Sequence, residues 1–222
     1  RLLIAVAVGA WVLAAAPRPG AGSWAEIHVL DVGQGDAIAV RTPRGRWFLI
    51  DGGPRTPQQD AGRSIVLPYL RRRGVREVDL VIASHGDADH LGGVPAIVRA
   101  MDPDLVLEPG QPLETSLYLE HLAAVDEQGA TWRAARSGDS VWIDGILLAV
   151  LHPSRPWVAT QLAPNENSVV VRLVLGDFVA RFTGDMGAVV ESALGASAGR
   201  ADLLKVGHHG SAGGTTAEWL ET

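Results

Sequence analysis

The sequence contains no cysteine and carries no excess of positive charge. Without cysteine among its 222 residues, the chain can form neither a disulfide framework nor a thiolate metal site, so any metal must be held by His, Asp, Glu or neutral oxygen donors. The net charge of −6 excludes a globally basic nucleic-acid-binding protein, but a local basic patch stays possible. With 47% hydrophobic and 20% charged residues, the chain can build the core of one substantial domain.

The chain begins with an apolar run, residues 2–16, that is followed by a Pro/Gly-rich linker, residues 17–23. The first residue is Arg1 rather than Met, so we expect a piece of a longer protein. Fifteen apolar residues are short for a bilayer span, which needs roughly 20. The run is therefore the end of a transmembrane helix, the core of a signal peptide or a buried helix. We favour the end of a transmembrane helix for residues 1–16, with one domain over residues 24–222.

The first half of that domain alternates strand and helix signals. Short apolar runs that end in Gly-rich or Asp-rich turns predict strands, and apolar residues on one face predict helices. The predicted strands are 26–30, 37–41, 46–50, 78–83 and 105–107, and the predicted helices are 64–73, 92–101 and 116–128.

The second half repeats the alternation with two hairpins. The turns at Asp144-Gly145 and Gly176-Asp177 predict hairpins that join strands 140–143 to 146–151 and 169–175 to 178–183. A helix at 188–194 and a strand at 202–206 follow. Together the two halves predict an α/β fold in which sheets are sandwiched between helices.

One cluster of potential metal ligands follows directly after a predicted apolar strand. His85, Asp87, Asp89 and His90 form the pattern HxDxDH, which precedes Gly92-Gly93. A loop at a strand end can fold four such donors around cations, and imidazole combined with carboxylate suits Zn or Mn. A solvated polar turn rarely combines two His and two Asp in this way.

Two further motifs follow later strands. In Thr183-Gly184-Asp185 the carboxylate of Asp185 can bridge two cations roughly 3.5–4 Å apart. In Gly207-His208-His209-Gly210-Ser211 one ring can reach a metal and the other a substrate phosphate. Either motif alone is typical of a turn, and their combination with HxDxDH favours a dinuclear hydrolase site.

The order HxDxDH, TGD and HHGS resembles the metallo-β-lactamase superfamily, whose αββα sandwich we therefore expect. Further segments narrow the resemblance to the C-terminal hydrolase domain of ComEC-type DNA-internalisation proteins: LDVGQGDA at 30–37, DGG at 51–53, NENSVV at 165–170 and LKVGHHGS at 204–211. The resemblance covers residues 24–222. That fold usually continues to a final strand and helix, so we expect the C-terminus of this sequence to be truncated.

The resemblance implies a ligand set for two divalent metal ions. His85 and Asp87 resemble ligands of the first metal, and Asp89 and His90 resemble ligands of the second. Asp185 resembles the bridging carboxylate. One of His208 and His209 completes the second metal; we favour His209, with His208 contacting substrate. Asp51 resembles a buried carboxylate that orients the ligand loop.

The sequence departs from the superfamily pattern at two ligand positions. Asp87 stands where the superfamily usually has His, and the segment 165–168 lacks the His that usually precedes the strand leading to TGD. His152 is a candidate replacement, as is an Asn or Ser oxygen, although a His at a strand end is more often bonded to backbone. The resulting oxygen-rich first site favours Mn over Zn.

The resemblance implies a nuclease of a membrane DNA-uptake channel that degrades the strand not imported. Asp89, Asp185 and His208 are the candidate catalytic residues, and the candidates for substrate contact or support are Gln34, Asp36, Asp51, Asn167, Lys205 and Ser211. We expect DNA as partner and a hydrolase domain on the outer face of the cell membrane, although Arg1 and Arg18 flank the apolar run symmetrically and give no sidedness. A phosphorylcholine esterase, a cyclic nucleotide phosphodiesterase and a non-catalytic DNA-binding or gating domain remain alternatives.

Overall fold

The computed structural model describes residues 10–13 and 24–222. Two six-stranded sheets form its centre. The first has the strand order β2-β3-β4-β5-β6-β7, with bounds Glu26–Val29, Ile38–Arg41, Trp47–Ile50, Leu80–Ile82, Leu105–Glu108 and Thr131–Ala134. The second has the order β1-β8-β9-β10-β11-β12, with bounds Ala10–Leu13, Ser140–Ile143, Ile146–His152, Val170–Leu175, Phe178–Phe182 and Leu203–Leu204.

The helices lie on the outer faces of the two sheets. They are α1 (Leu67–Arg72), α2 (Ala88–Leu91), α3 (Val94–Met101), α4 (Ser116–Gln128), α5 (Trp157–Thr160), α6 (Ala188–Leu194) and α7 (Ala217–Leu220). A π-helical turn at Gly62–Val66 leads into α1, and short 3-10 turns occupy Asn165–Asn167, Gly195–Ala198 and Gly207–Gly210.

The period of two along the strands builds this layering. In β3 and β4 the side chains of Ala39 and Leu49 pack against the helix layer of α1, α3 and α4. Their neighbours Val40 and Phe48 face the second sheet, where they meet Leu148. A smaller cluster under α6 and α7 covers the other side of the second sheet. The predicted αββα sandwich is therefore confirmed.

Several predicted elements differ in detail. The predicted helix 92–101 begins two residues late, as α3 at Val94, and the short helix α2, which was not predicted, precedes Gly92-Gly93. A Cβ atom on Gly93 would lie 2.1 Å from the carbonyl oxygen of Gly52 and 2.5 Å from the nitrogen of Gly62, so this close approach of three backbones requires glycine. Strand β7 was not predicted, and the last predicted strand shortens to β12.

Most of the predicted transmembrane segment lies outside the described residues. Of residues 1–16 only Ala10–Leu13 is described, as a strand whose backbone pairs in parallel with β8. In the part of the chain that the structure describes, no helix combines the length and apolar character needed to cross a bilayer. The membrane segment and the linker 17–23 stay predictions.

A buried carboxylate at the end of β6 gives the fold a pH dependence. Glu108 is 2% exposed, and its Oε1 accepts hydrogen bonds from Tyr118 Oη at 2.8 Å and Trp132 Nε1 at 3.0 Å. Burial raises the pKa of Glu108 to about 7, against the opposing effect of these two donors. The folded state therefore holds this proton more tightly than the unfolded state does.

Replacing Glu108 with Gln is expected to stabilise the domain at alkaline pH. The stability associated with the raised pKa is complete below pH ~4.5 and is lost as pH rises through about 7. Gln keeps an oxygen for both donors and never ionises, so it gains up to about 3 kcal/mol over the wild type at pH 8 and nothing at pH 4.5. Urea unfolding at the two pH values measures this, and an equal difference at both would contradict it.

Candidate metal centre

Residues from both sheets meet where their strands end. Asp51 follows β4 and Ser84 follows β5; these strands are parallel neighbours, so the two residues emerge side by side. Asp185 follows β11 of the second sheet, and the His208-His209 turn follows β12. A hydrogen bond of 2.7 Å from the nitrogen of Val169 to the carbonyl oxygen of Ser84 joins the two sheets at this edge.

Asp51 lies at the centre of a buried hydrogen-bond network. Its Oδ1 accepts from the nitrogen of Ser84 at 2.7 Å, and its Oδ2 accepts from Ser84 Oγ at 2.7 Å and from His90 Nδ1 at 2.8 Å. Asp51 is 1% exposed and has a left-handed φ of 61°. Burial opposes the ionisation of Asp51, but His90 and His85 keep its pKa below the ordinary value. The carboxylate thus fixes the ring of His90 with Nε2 turned away from Asp51.

A first group of donors comprises His85, Asp89 and His90, whose ligand atoms lie within 4.8 Å of one another. His85 Nδ1 lies 3.0 Å from Ser84 Oγ, whereas its buried Nε2 has no hydrogen-bond partner among the described residues. Burial lowers the pKa of His85 to about 4, so its ring is neutral at pH 7. A neutral imidazole with one buried, unpaired nitrogen is the form that binds a metal ion.

A second group comprises Asp36, His90, Asp185 and His209. His90 Nε2 lies 3.1 Å from both Asp185 Oδ1 and His209 Nε2, and His209 Nε2 lies 3.2 Å from Asp185 Oδ2. Burial opposes the protonation of His90, but Asp51 and Asp185 raise its pKa to about 10. The opposing charge of His90 holds the pKa of Asp185 well below its ordinary range despite burial.

Lys205 adds a positive charge beside this second group. Its Nζ lies 2.5 Å from Asp36 Oδ2 and 3.4 Å from Asp185 Oδ1, and it donates to the carbonyl oxygen of Gly184 at 2.7 Å. Burial raises the pKa of Asp36, with Lys205 acting in the opposite direction. Asp36, predicted as a supporting or substrate residue, therefore lies among the potential ligands.

Other predicted site residues lie beside the two groups. The carboxylate of Asp87 belongs to neither group; its Oδ2 lies 3.6 Å from His85 Nε2, and its side chain is 47% exposed. His208 Nε2 lies 4.0 Å from Asp185 Oδ2, farther than His209, and its side chain is 45% exposed. The nitrogen of Ser211 closes the His208 turn by donating to the carbonyl oxygen of His208 at 2.8 Å, and Gln34 is exposed in the loop before Asp36.

The candidates for the missing histidine differ in their surroundings. His152 is not in either donor group; its Nε2 lies 3.0 Å from the carbonyl oxygen of Glu166, the backbone contact that is common for a strand-end His. Asn167 is fully buried, and its Nδ2 donates to Gln111 Oε1 at 3.2 Å. Asn167 Oδ1 has no hydrogen-bond partner among the described residues.

Ser84 and Gln111 were not predicted as site residues, and Ser168 was predicted only as a possible oxygen ligand. Ser84 Oγ connects Asp51 to both His85 and His90, and Ser168 Oγ accepts from the nitrogen of Asp185 at 3.2 Å. Gln111 orients the Asn167 amide. Ser84 directly adjoins the predicted ligand His85, which was the only sequence signal available for it.

The residues present fit divalent cations. Two donor groups share His90, each combines imidazole with carboxylate, and His85 Nε2 is a buried orphan nitrogen. Three carboxylates in these groups make the donor set rich in oxygen, the composition that hard or borderline metals favour. His85 and Asp89 would hold one ion, and Asp36, Asp185 and His209 would surround the other; His90 Nε2 can bind only one of the two ions, because its Nδ1 contacts Asp51.

Fold and site together define a metal-dependent hydrolase. The family model described as "Metallo-beta-lactamase superfamily" matches residues 30–221, and the chain belongs to this superfamily. Membership implies divalent metal binding, in agreement with the two donor groups.

Curated relatives include competence proteins. The chain is 28% identical over 217 residues to "ComE operon protein 3" of Bacillus subtilis (91% of this chain, 28% of the relative). It is 31% identical over 190 residues to "Competence protein ComA" of Neisseria gonorrhoeae (84% and 24%). These matches confirm the resemblance to ComEC-type proteins. The chain spans about a quarter of the length of these relatives.

Solved structures support the fold alone. The chain superimposes with a TM-score of 0.53 on CmlA, a diiron β-hydroxylase from Streptomyces venezuelae, at 16% identity and with 82% of this chain and 34% of CmlA covered. For the metallo-β-lactamase SMB-1 the TM-score is 0.51, at 16% identity and with 78% and 66% covered.

Proposed function

We propose that the chain is a metal-dependent phosphodiester hydrolase, a DNA nuclease of a membrane DNA-uptake channel that degrades the non-imported strand during natural transformation. The observation that carries the proposal is the convergence of His85, Asp89, His90, Asp185 and His209 at one edge of the sandwich. DNA as the substrate follows from the resemblance to ComEC-type DNA-internalisation proteins, and the relatives include a protein named for competence. On this proposal the domain lies at the outer face of the cell membrane and is attached to it through the apolar N-terminal segment.

Each side chain of the site has a part in the proposed hydrolysis. Two divalent cations, Mn or Zn, would lower the pKa of a bound water and neutralise the phosphodiester charge. Asp89, with 31% of its side chain exposed, accepts the proton of the attacking water. The water oxygen bonds to phosphorus, the ester P–O bond breaks, and the leaving oxygen takes up a proton.

One exposed ring beside the donors can contact an anionic substrate. The exposed ring of His208 lies on the open side of Asp185, where it contacts a phosphate oxygen. Lys205 holds Asp36 and Asp185 in place through its short contacts with both carboxylates. The oxygen-rich donor set favours Mn over Zn.

Cleavage of single-stranded DNA by the Mn²⁺-loaded full chain tests the proposal. A fluorescently labelled oligodeoxynucleotide is expected to be cut, EDTA to stop the reaction, and Mn²⁺ in excess of EDTA to restore it. Matched reactions contain a nitrophenyl phosphorylcholine ester or a cyclic nucleotide. Cleavage of either small substrate without cleavage of DNA would favour one of those esterase activities, and DNA binding without any hydrolysis would favour a binding or gating domain.

A further inference from the structure

A cavity of about 520 Å³ lies beside the ligand motif. One wall is the loop 55–60, another is the start of α4, and the floor includes Ala88, which stands between Asp87 and Asp89 in the sequence. The nitrogen of Arg55 donates to the carbonyl oxygen of Ala88 at 3.1 Å, which attaches the loop to the motif. We call this cavity the flanking pocket.

The flanking pocket is lined by polar side chains that are free to bind. Gln58, Gln59 and Ser116 form no side-chain hydrogen bond within residues 24–222. Arg63 lies 3.4 Å from Asp60 in an ion pair, with 67% of its side chain exposed. An exposed pair of this kind contributes little energy, so Arg63 can turn to another anion.

A chain of ion pairs lines the wall of the pocket and offsets its acidic charge. Arg55 lies 2.6 Å from Glu120, which lies 3.0 Å from Arg99, and Arg99 continues to Glu127 at 2.6 Å. Glu120 is thus paired with two guanidinium groups, and its charge does not repel a polyanion. Arg55 is held with 37% of its side chain exposed at the pocket wall.

We propose that the flanking pocket binds one nucleotide next to the scissile phosphate of a single-stranded polynucleotide. The proposal rests on the proposed function and names its substrate as a polymer. Free amides and a hydroxyl can hydrogen-bond the polar edges of a base, and the guanidinium of Arg63 can pair with the neighbouring phosphate. The volume falls in the range of small-molecule sites.

A small diester ends at the scissile phosphate and leaves this pocket empty. Contacts made here should therefore increase kcat/KM only for substrates with at least one further nucleotide. Activity should rise from bis(4-nitrophenyl) phosphate to a short oligodeoxynucleotide and then level off as the chain grows longer.

The test compares two pocket variants with a matched control. Arg63→Ala combined with Gln58→Ala removes the binding groups, and Ser116→Trp fills the pocket. Arg71→Ala is the control, because Arg71 is also exposed and lies about 12 Å farther along the same helical segment. All chains are loaded with Mn²⁺ and assayed on an oligodeoxynucleotide and on bis(4-nitrophenyl) phosphate.

We compare kcat/KM on the oligodeoxynucleotide with kcat/KM on the small diester. In both pocket variants this ratio is expected to fall about tenfold, because KM for the oligodeoxynucleotide rises. The control should keep the wild-type ratio. An unchanged ratio in both pocket variants would overturn the proposal while leaving the nuclease function intact.

A binding measurement separates this proposal from the proposed function. Fluorescence anisotropy of the labelled oligodeoxynucleotide is recorded in Ca²⁺, without turnover. About tenfold weaker binding in the pocket variants supports the pocket even if the wild type hydrolyses nothing. Equal binding in all chains contradicts it.

Discussion

Asp185→Asn is expected to remove most metal binding at the second donor group and to lower the rate of hydrolysis by at least about 10³-fold. Asp185 contributes both oxygens, one 3.1 Å from His90 Nε2 and the other 3.2 Å from His209 Nε2. Asn supplies one neutral oxygen and an NH₂ group, which cannot bind a cation. Equilibrium dialysis with metal analysis and an initial-rate assay measure the two losses. Asp89→Ala should likewise stop hydrolysis.

The matched control for Asp185→Asn is Asp177→Asn. Asp177 is exposed in the turn between β10 and β11 of the same sheet and contacts neither donor group. It should keep wild-type metal content and rate. If Asp185→Asn bound as much metal as the wild type, Asp185 would not be a ligand.

Asp51→Asn is expected to weaken metal binding by about 10- to 100-fold while leaving every potential ligand in place. Asp51 Oδ2 accepts from Ser84 Oγ and from His90 Nδ1, and the Asn amide can offer an NH₂ group to these partners instead. His90 then loses the carboxylate that fixes its orientation. Asn tolerates the left-handed φ of 61°, so the backbone is preserved. Titration calorimetry with Mn²⁺ and thermal unfolding of the metal-free chain separate affinity from stability.

Ser84→Ala is the graded comparison for this prediction. It removes the hydroxyl that links Asp51 to the two rings but keeps the bond of 2.8 Å between Asp51 and His90. Its loss of affinity should be smaller than that of Asp51→Asn. Equal metal affinity in the wild type and Asp51→Asn would show that Asp51 only stabilises the fold.

The sandwich was predictable because its strands are short apolar runs bounded by turn residues. In β3 and β4 each residue that faces the helices is followed by one that faces the other sheet. Strand β7 escaped prediction because Thr131 and Trp132 are exposed and give no apolar signal. The late start of α3, after Gly92-Gly93, depends on the close approach of Gly93 to Gly52 and Gly62, which are distant in sequence.

The sequence predicted which motifs at strand ends form the site, but it did not predict which donors of these motifs lie together around one cation. Which donors share a cation depends on how the two sheets are placed, and this brings Asp36 rather than Asp87 into a donor group. His152 was a candidate by residue type alone. Its side chain instead contacts the backbone of Glu166, a contact that no periodicity reveals.

The meeting of His90 with His209 has a consequence for how the domain assembles. These residues are 119 positions apart, and their Nε2 atoms lie 3.1 Å from each other. A cation bound by both rings would act as a removable cross-link that closes a very long loop. Closing this loop costs conformational entropy, and the cation can bind both rings only after the two halves of the domain have docked. Metal uptake should therefore be a late folding event, and a chelator should accelerate unfolding by separating the two halves first.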